Sequence, residues 1–148
     1  MSEAIENGGY ILLDADSDHM RTHTTEIDVR FRDLDTMGHV NNALYVTYLE
    51  EARVDFFRSV FEASLSDVDS VLASVSIDYL APIELGDRPV IELTIEDVGR
   101  SSITMSYEIV VDDETVATAE TVQVMYDPDT DSSRPIPAEW CDRLQPYL

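Results

Sequence analysis

The sequence predicts an α+β fold: one long central helix wrapped by a curved, mainly antiparallel five-stranded sheet. Two patterns carry that prediction. Tyr45, Tyr48, Leu49, Ala52 and Phe56 recur at i, i+3, i+4, i+7 and i+11, the spacing of one helix face. On both sides of that helix, apolar residues instead alternate with polar ones, the period of strands with one buried face. A single helix beside one such sheet packs on its apolar face, and the sheet curls around it. One helix covers only part of five strands, so the remaining sheet surface is expected to pair with a second subunit.

Residues 1–22 read as a loose N-terminal segment, with a short strand at Tyr10–Leu13, and residues 23–148 as a single domain. The first clear strand starts at Thr24, with Ile27, Val29 and Phe31 on one face and Glu26, Asp28, Arg30 and Arg32 on the other. A loop over 33–40 follows, with Gly38 as its flexible point. Asn41 or Asn42 is placed to cap the next element. The helix runs from Ala43 to about Phe61, with Val46 and Phe57 widening its apolar face. After a loop at 64–70, Ala73, Val75, Ile77 and Tyr79 alternate up to Pro82, and Leu85–Arg88 makes a turn. Ile91, Leu93 and Ile95 form the next strand, 98–102 a turn, and Ile103, Met105, Tyr107 and Ile109 another strand. A turn at 112–114 leads into a last strand over about 115–126. A proline-rich polar exit (127–137) precedes one short helical turn.

The chain has 148 residues and a formal charge of -22, from 31 Asp and Glu against 9 basic residues. All the basic residues are arginine. Such a charge repels phosphate backbones and argues against nucleic acid as a partner. At low salt it repels itself, and molar salt shortens the Debye length to about 3 Å. The expectation is a salt-adapted cytoplasmic protein, with an acidic mesophilic one as the alternative; the absence of lysine favours the first. No apolar run approaches the roughly 20 residues of a membrane span, and the first ten residues do not read as a signal peptide. Cys141 is alone, which leaves no internal disulfide and no thiolate metal site.

Asp35 is the foremost candidate for chemistry. It lies in a loop just before the positive end of a helix, where a carboxylate stays ionised and can serve as general base or nucleophile. Asp33 is the weaker of the pair, at the strand's edge and open to solvent. Near Asn41 and Asn42 the helix start offers unpaired N–H groups suited to an oxyanion; capping alone explains one of the two. Gly38 is either a turn residue or a point of close ligand approach. His39, four residues after Asp35, is a general base or a positioning residue, and a lone imidazole argues against a metal site with Asp33 and Asp35. Asp14–His19 and Asp127–Ser132 imitate calcium loops but lack the glycine and the distal glutamate such loops need. Arg100, with Ser101 and Ser102 at a tight turn, has the chemistry to hold a phosphate. Glu50 and Glu51 are expected to pair with Arg53 along the helix or to lie at a subunit contact.

The run from Val29 to Phe57, VRFRDLDTMGHVNNALYVTYLEEARVDFF, resembles the first strand, active loop and central helix of hotdog-fold acyl-CoA thioesterases of the 4-hydroxybenzoyl-CoA thioesterase family. The second Asp, Gly-His-Val-Asn-Asn and Tyr-x-x-Tyr-x-Glu-x-Ala-Arg carry the resemblance. It extends more loosely to about residue 127, and residues 1–22 have no counterpart. The resemblance implies hydrolysis of an acyl-CoA thioester to a free acid and coenzyme A. Asp35 would be the catalytic carboxylate, Gly38 the glycine turn, and the N–H near Asn42 the group that polarises the carbonyl. It implies coenzyme A phosphates held by a basic residue such as Arg100, no cofactor beyond the coenzyme A of the substrate, no metal, and a homodimer or homotetramer with sites between subunits. Asn41, Ser101 and Ser102 are further candidate substrate contacts, as is Tyr45, which with Tyr48 and Phe56 either lines an acyl pocket or only packs the core. Asp35 would activate water or attack the carbonyl to form a mixed anhydride. Two other functions suit the same fold: hydration or dehydration of an enoyl thioester, and acyl-CoA binding without turnover.

Overall fold

In a computed structural model, residues 21–62 and 69–148 are described. The Tyr10–Leu13 strand, the acidic run at 14–19 and most of the loop at 64–70 lie outside them. Strand β1 is His23–Glu26. A 3₁₀ turn at Phe31–Asp33 and another at Asn42–Leu44 precede helix α1, Tyr45–Phe61. Four long strands follow: β2 at Ser70–Tyr79, β3 at Val90–Val98, β4 at Ser102–Val111 and β5 at Glu114–Asp127. A two-residue strand β6 (Ser132–Ser133) pairs with the end of β5. Helix α2, Ala138–Leu144, is longer than the single turn expected and inserts Leu144 into the core.

All pairings are antiparallel, and the main sheet runs β1-β3-β4-β5-β2. Consecutive hairpins join β3, β4 and β5. The β4–β5 turn uses Asp112 and Asp113 at φ 50° and 66°, the backbone a two-residue hairpin needs and that Asp tolerates. Strand β2 does not pair with its sequence neighbour β3. Residues 80–89 carry the chain across the sheet instead, leaving β2 as the outer edge beside β5.

The helical spacing of α1 is realised: Tyr45, Tyr48, Leu49, Ala52, Phe56 and Phe57 are all buried. They meet Ile91, Leu93 and Ile95 of β3 and Ile103, Met105, Tyr107 and Ile109 of β4 in one core. The leucine, isoleucine, methionine and phenylalanine side chains among them contribute about 1.5–3 kcal/mol each on burial. The helix stops at Glu62, whose φ of 54° is left-handed.

The first strand is shorter than its alternation predicts. Ile27 N–H makes a last ladder bond of 2.9 Å to the Pro89 carbonyl. Pro89 has no N–H to return, so pairing ends there. Phe31, expected on the buried face, begins the 3₁₀ turn and is 79% exposed.

Arg53 also departs from expectation. It turns inward, is buried, and donates to the Tyr107 hydroxyl at 3.4 Å rather than pairing with Glu50 or Glu51. Asp55 instead ties α1 to β1, accepting from Thr25 Oγ1 at 2.9 Å and facing His23 Nε2 at 2.8 Å. Burial pushes its carboxyl up, but the hydrogen bonds from His23 and Thr25 and the charges of His23 and Arg58 outweigh burial and hold it below its ordinary value of 3.8. A carboxyl lowered in the folded state stabilises above its unfolded pKa and loses that contribution as pH falls through the folded one. Asp55→Asn is therefore expected to lower stability at neutral pH, by less than about 1 kcal/mol given the pair's exposure. The deficit should shrink below pH 3.8, as acid unfolding curves of the two proteins would show.

Candidate active site

The loop from Leu34 to Asn41 is folded on itself. Asp35 N–H donates to the His39 carbonyl at 2.7 Å, and Gly38 N–H donates to the Asp35 carbonyl at 3.1 Å. Gly38 sits at φ 80°, which favours glycine and lets the chain reverse. Asp35 Oδ1 accepts from Met37 N–H at 2.8 Å and His39 N–H at 3.2 Å. The carboxylate is thus pinned by one oxygen in an Asx-type turn.

Asp33 holds the same loop from outside. Its Oδ2 accepts from Arg30 N–H at 3.0 Å and from the Tyr48 hydroxyl at 2.8 Å, and its carbonyl accepts from Asn41 N–H at 2.8 Å. The first Asp is therefore not simply solvated, as its place at the strand's edge implied. It clamps the loop to α1. Burial and the Asp33 carboxylate push the Tyr48 hydroxyl well above its ordinary pKa, so it stays a donor.

Asn41 caps the helix start, its Oδ1 accepting from Ala43 N–H at 3.0 Å, while its carbonyl accepts from Leu44 N–H at 2.9 Å. Asn42 N–H has no acceptor among the described residues. One donor at the mouth of the helix is left open, as the first turn of a helix allows.

The crossing segment closes the site from the other side. Val40 N–H donates to the Ile83 carbonyl at 2.8 Å, and His39 and Glu84 form an isolated bridge. The result is a cavity of about 350 Å³ lined by Asp35, His39, Asn42, Tyr45, Tyr79 and Leu80, among others. The His39 imidazole stands 3.9 Å from the Glu84 carboxylate. Tyr79 also lines the cavity, which sequence reasoning misses: its hydroxyl donates to the Asn42 carbonyl at 2.9 Å, and its ring meets Tyr45 edge-on at 4.8 Å. Its strand alternation signals only a buried face. The Pro82 break just beyond it is the one hint that the chain turns there toward the loop.

The structure thus gathers Asp35, His39, Asn42 and Tyr45 around one cavity; Gly38 and Asn41 do not line it, but turn the loop and cap the helix start beside it. It does not bring Arg100, Ser101 and Ser102 to the same cavity. They form the β3–β4 turn, where Gly99 N–H donates to the Ser102 carbonyl. Ser102 pairs with Val124 and Tyr79 with Ala117, so roughly 23 Å of β5 separates them at about 3.3 Å per residue. Among the described residues no group of His, Cys and acidic side chains could hold a metal ion.

The profile of the thioesterase-like superfamily matches residues 29–144. A 1,4-dihydroxy-2-naphthoyl-CoA hydrolase from Synechococcus elongatus is 30% identical over 126 residues, covering 81% of this chain and 90% of that protein. The long-chain acyl-CoA thioesterase FadM of Escherichia coli is 30% identical over 126 residues, covering 82% and 96%. Of two other curated relatives the chain spans only about half the length. Among solved structures, a thioesterase from Thermus thermophilus, complexed with coenzyme A and zinc, superposes with a TM-score of 0.75 at 34% identity, over 82% of this chain and 91% of that one. With its curved antiparallel sheet around one long helix, the chain belongs to the thioesterase-like superfamily and has the hotdog fold.

Proposed function

We propose that the chain hydrolyses acyl-CoA thioesters to free acid and coenzyme A. One observation carries the reading: Asn42, with its open N–H, and Asp35, with its pinned carboxylate, line the same cavity. A thioester carbonyl accepting from Asn42 N–H is polarised where negative charge develops on attack. Asp35 Oδ2 takes a proton from water as its oxygen bonds to the carbonyl carbon. Alternatively it makes that bond itself, and water cleaves the resulting anhydride. In either route the C–S bond breaks and the thiolate of coenzyme A leaves and is protonated. The backbone of His39 positions Asp35, through its N–H and its carbonyl, while its imidazole faces Glu84.

Among the described residues no arginine lines the cavity, and the β2 edge supports a homodimer that brings cations for the coenzyme A phosphates. Val71, Val75, Tyr79 and Leu80 lie exposed along this open edge, Val75 at 40% and Leu80 at 60%. An unpaired apolar edge is a template for another strand. Two β2 strands meeting antiparallel exchange ends. The Ser70 end of one copy, next to its Arg100–Ser102 turn, then approaches the Tyr79 end of the other, next to Asp35. A light-scattering mass in molar KCl should be a multiple of one chain, with Val75→Lys shifting it toward monomer. A wild type monomeric at micromolar concentration would contradict the shared site.

The charge of -22 supports salt adaptation, and the single cysteine fits a reducing cytoplasmic setting. The unfolding midpoint is expected to rise between low and molar KCl, and a flat midpoint would count against it. Among the described residues no helix is long and apolar enough to cross a membrane.

The test of activity is thiol release from a panel of acyl-CoAs in molar KCl. Release with multiple turnovers supports the hydrolase. A folded protein that hydrates enoyl-CoAs but releases no thiol would be a hydratase instead, and one that binds acyl-CoA without either reaction a binder.

A further inference from the structure

The loop that carries Asp35 is a small hairpin arm. Asn41 N–H donates to the Asp33 carbonyl at 2.8 Å, Leu34 and Val40 form an isolated bridge, and Asp35 N–H donates to the His39 carbonyl at 2.7 Å. Asp33 and Asn41 thus form its base, with Met37 and Gly38 at its tip. Residues 35–38 are all exposed, Met37 at 75%, so burial does not hold the tip and the arm depends on its base and flank. Asn42 belongs to the other half of the site. The Asn41 carbonyl accepts from Leu44 N–H at 2.9 Å, which orients the planar peptide unit that also carries Asn42 N–H. The Asn42 carbonyl accepts from Tyr45 N–H and, at 2.9 Å, from the Tyr79 hydroxyl. The donor is therefore built into the start of the helix, and the arm has to be brought to it. On one flank, Val40 N–H and the His39–Glu84 bridge tie the arm to the crossing segment. Among the described residues one side-chain hydrogen bond ties it to α1: the Tyr48 hydroxyl donates to Asp33 Oδ2 at 2.8 Å. Tyr48 is 2% exposed, so its ring has a fixed place in the core from which to hold Asp33.

Resting on the hydrolase reading, we propose that Tyr48 and Asp33 are positioning residues for the reaction, their hydrogen bond setting where the Asp35 carboxylate stands relative to Asn42 N–H. Neither side chain lines the cavity, so any effect of theirs on the reaction runs through the arm. Asp33 and Asp35 lie two residues apart on one strand of the arm, and the backbone between them is paired at Leu34. A shift at the base therefore carries the carboxylate with it. The carboxylate and the carbonyl-polarising donor work together only within a narrow geometry, where a misplacement of about 1 Å costs as much as about 100-fold in rate. A buried tyrosine hydroxyl suits the task, because burial and the Asp33 carboxylate keep it protonated and so a donor. A contact that only stabilised the fold would change the melting temperature and leave kcat of the folded protein alone.

The test measures kcat and KM for whichever of acetyl-, decanoyl-, palmitoyl- and benzoyl-CoA wild type hydrolyses fastest, in molar KCl, for wild type, Tyr48→Phe, Asp33→Asn and Asp55→Asn. Melting curves and amide NMR spectra accompany each. Tyr48→Phe keeps the ring in the core and removes only the donor. Asp33→Asn is the conservative variant, because its side-chain oxygen can still accept from Arg30 N–H and Tyr48. Asp55→Asn loosens α1 from β1, away from the arm, and reports what lost stability does by itself. Tyr48→Phe is expected to lower kcat by about 10–100-fold with KM within about threefold of wild type. Asp33→Asn should restore kcat to within about threefold of wild type, the value also expected of Asp55→Asn. In Tyr48→Phe the amide signals of Met37 and His39, whose N–H groups touch the Asp35 carboxylate, should shift or broaden. A Tyr48→Phe kcat within about threefold of wild type would overturn the proposal. So would an equal loss in Asp55→Asn, a loss confined to KM, or a kcat loss with both amide signals unchanged. If wild type hydrolyses none of the four esters, the spectra separate the two readings. Signals that move in Tyr48→Phe but not in Asp33→Asn keep the hold of Tyr48 on the Asp35 arm and remove the hydrolase; unchanged signals remove both.

Discussion

Asp35→Asn is expected to lower kcat for thiol release by about 10²–10⁴-fold while leaving the melting temperature close to that of wild type. The substitution separates chemistry from architecture. An Asn side-chain oxygen can still accept from Met37 N–H and His39 N–H, so the turn that Asp35 Oδ1 closes is kept. What is lost is the basic, nucleophilic oxygen. Asp35→Ala removes both and should also loosen the loop. A small loss in Asp35→Asn beside a large one in Asp35→Ala would mean that the residue only shapes the turn.

Phe56→Ala is expected to destabilise the fold by about 3–5 kcal/mol, the range for removing a large buried aromatic. In a chain of this size that lowers the melting temperature on the order of 10 °C. Phe56 is completely buried on the inner face of α1. Its ring meets Phe57 at 5.8 Å, His23 of β1 at 5.5 Å and Tyr147, just past α2, at 5.1 Å. It therefore joins three elements that are distant in sequence, and smaller neighbours cannot collapse into the space without moving one of them. Thermal or denaturant unfolding of the variant in molar KCl measures the effect, and a loss below about 1 kcal/mol would place it outside the cavity-forming class.

The central helix is legible in the sequence because periodicity and burial agree at Tyr45, Tyr48, Leu49, Ala52 and Phe56. The sheet is legible strand by strand, but its order is not. Alternation says which face a residue takes and nothing about which strand is beside it, so the passage of β2 to the far edge of β5 has no sequence signal. Alternation misplaces Phe31 because it continues after pairing has stopped, and the cause, the missing N–H of Pro89, lies far along the chain. Arg53 reads as a surface charge beside two glutamates, although one helical position inward suffices to bury it. Within the candidate site, the turn formed by Asp35, Gly38 and His39 and the helix start at Asn41 and Asn42 are legible because their geometry is local. The clamp from Asp33 to Tyr48 and the contribution of Tyr79 depend on contacts across the fold.

Asp35 and the Asn42 N–H are held to act on one carbonyl. A crystal structure with a hydrolysis-resistant acyl-CoA analogue, the sulfur replaced by methylene, tests this most directly. The carbonyl oxygen should lie about 2.9 Å from Asn42 N, with the carbonyl carbon facing the free oxygen of Asp35. An analogue bound with its carbonyl away from both groups would contradict the account.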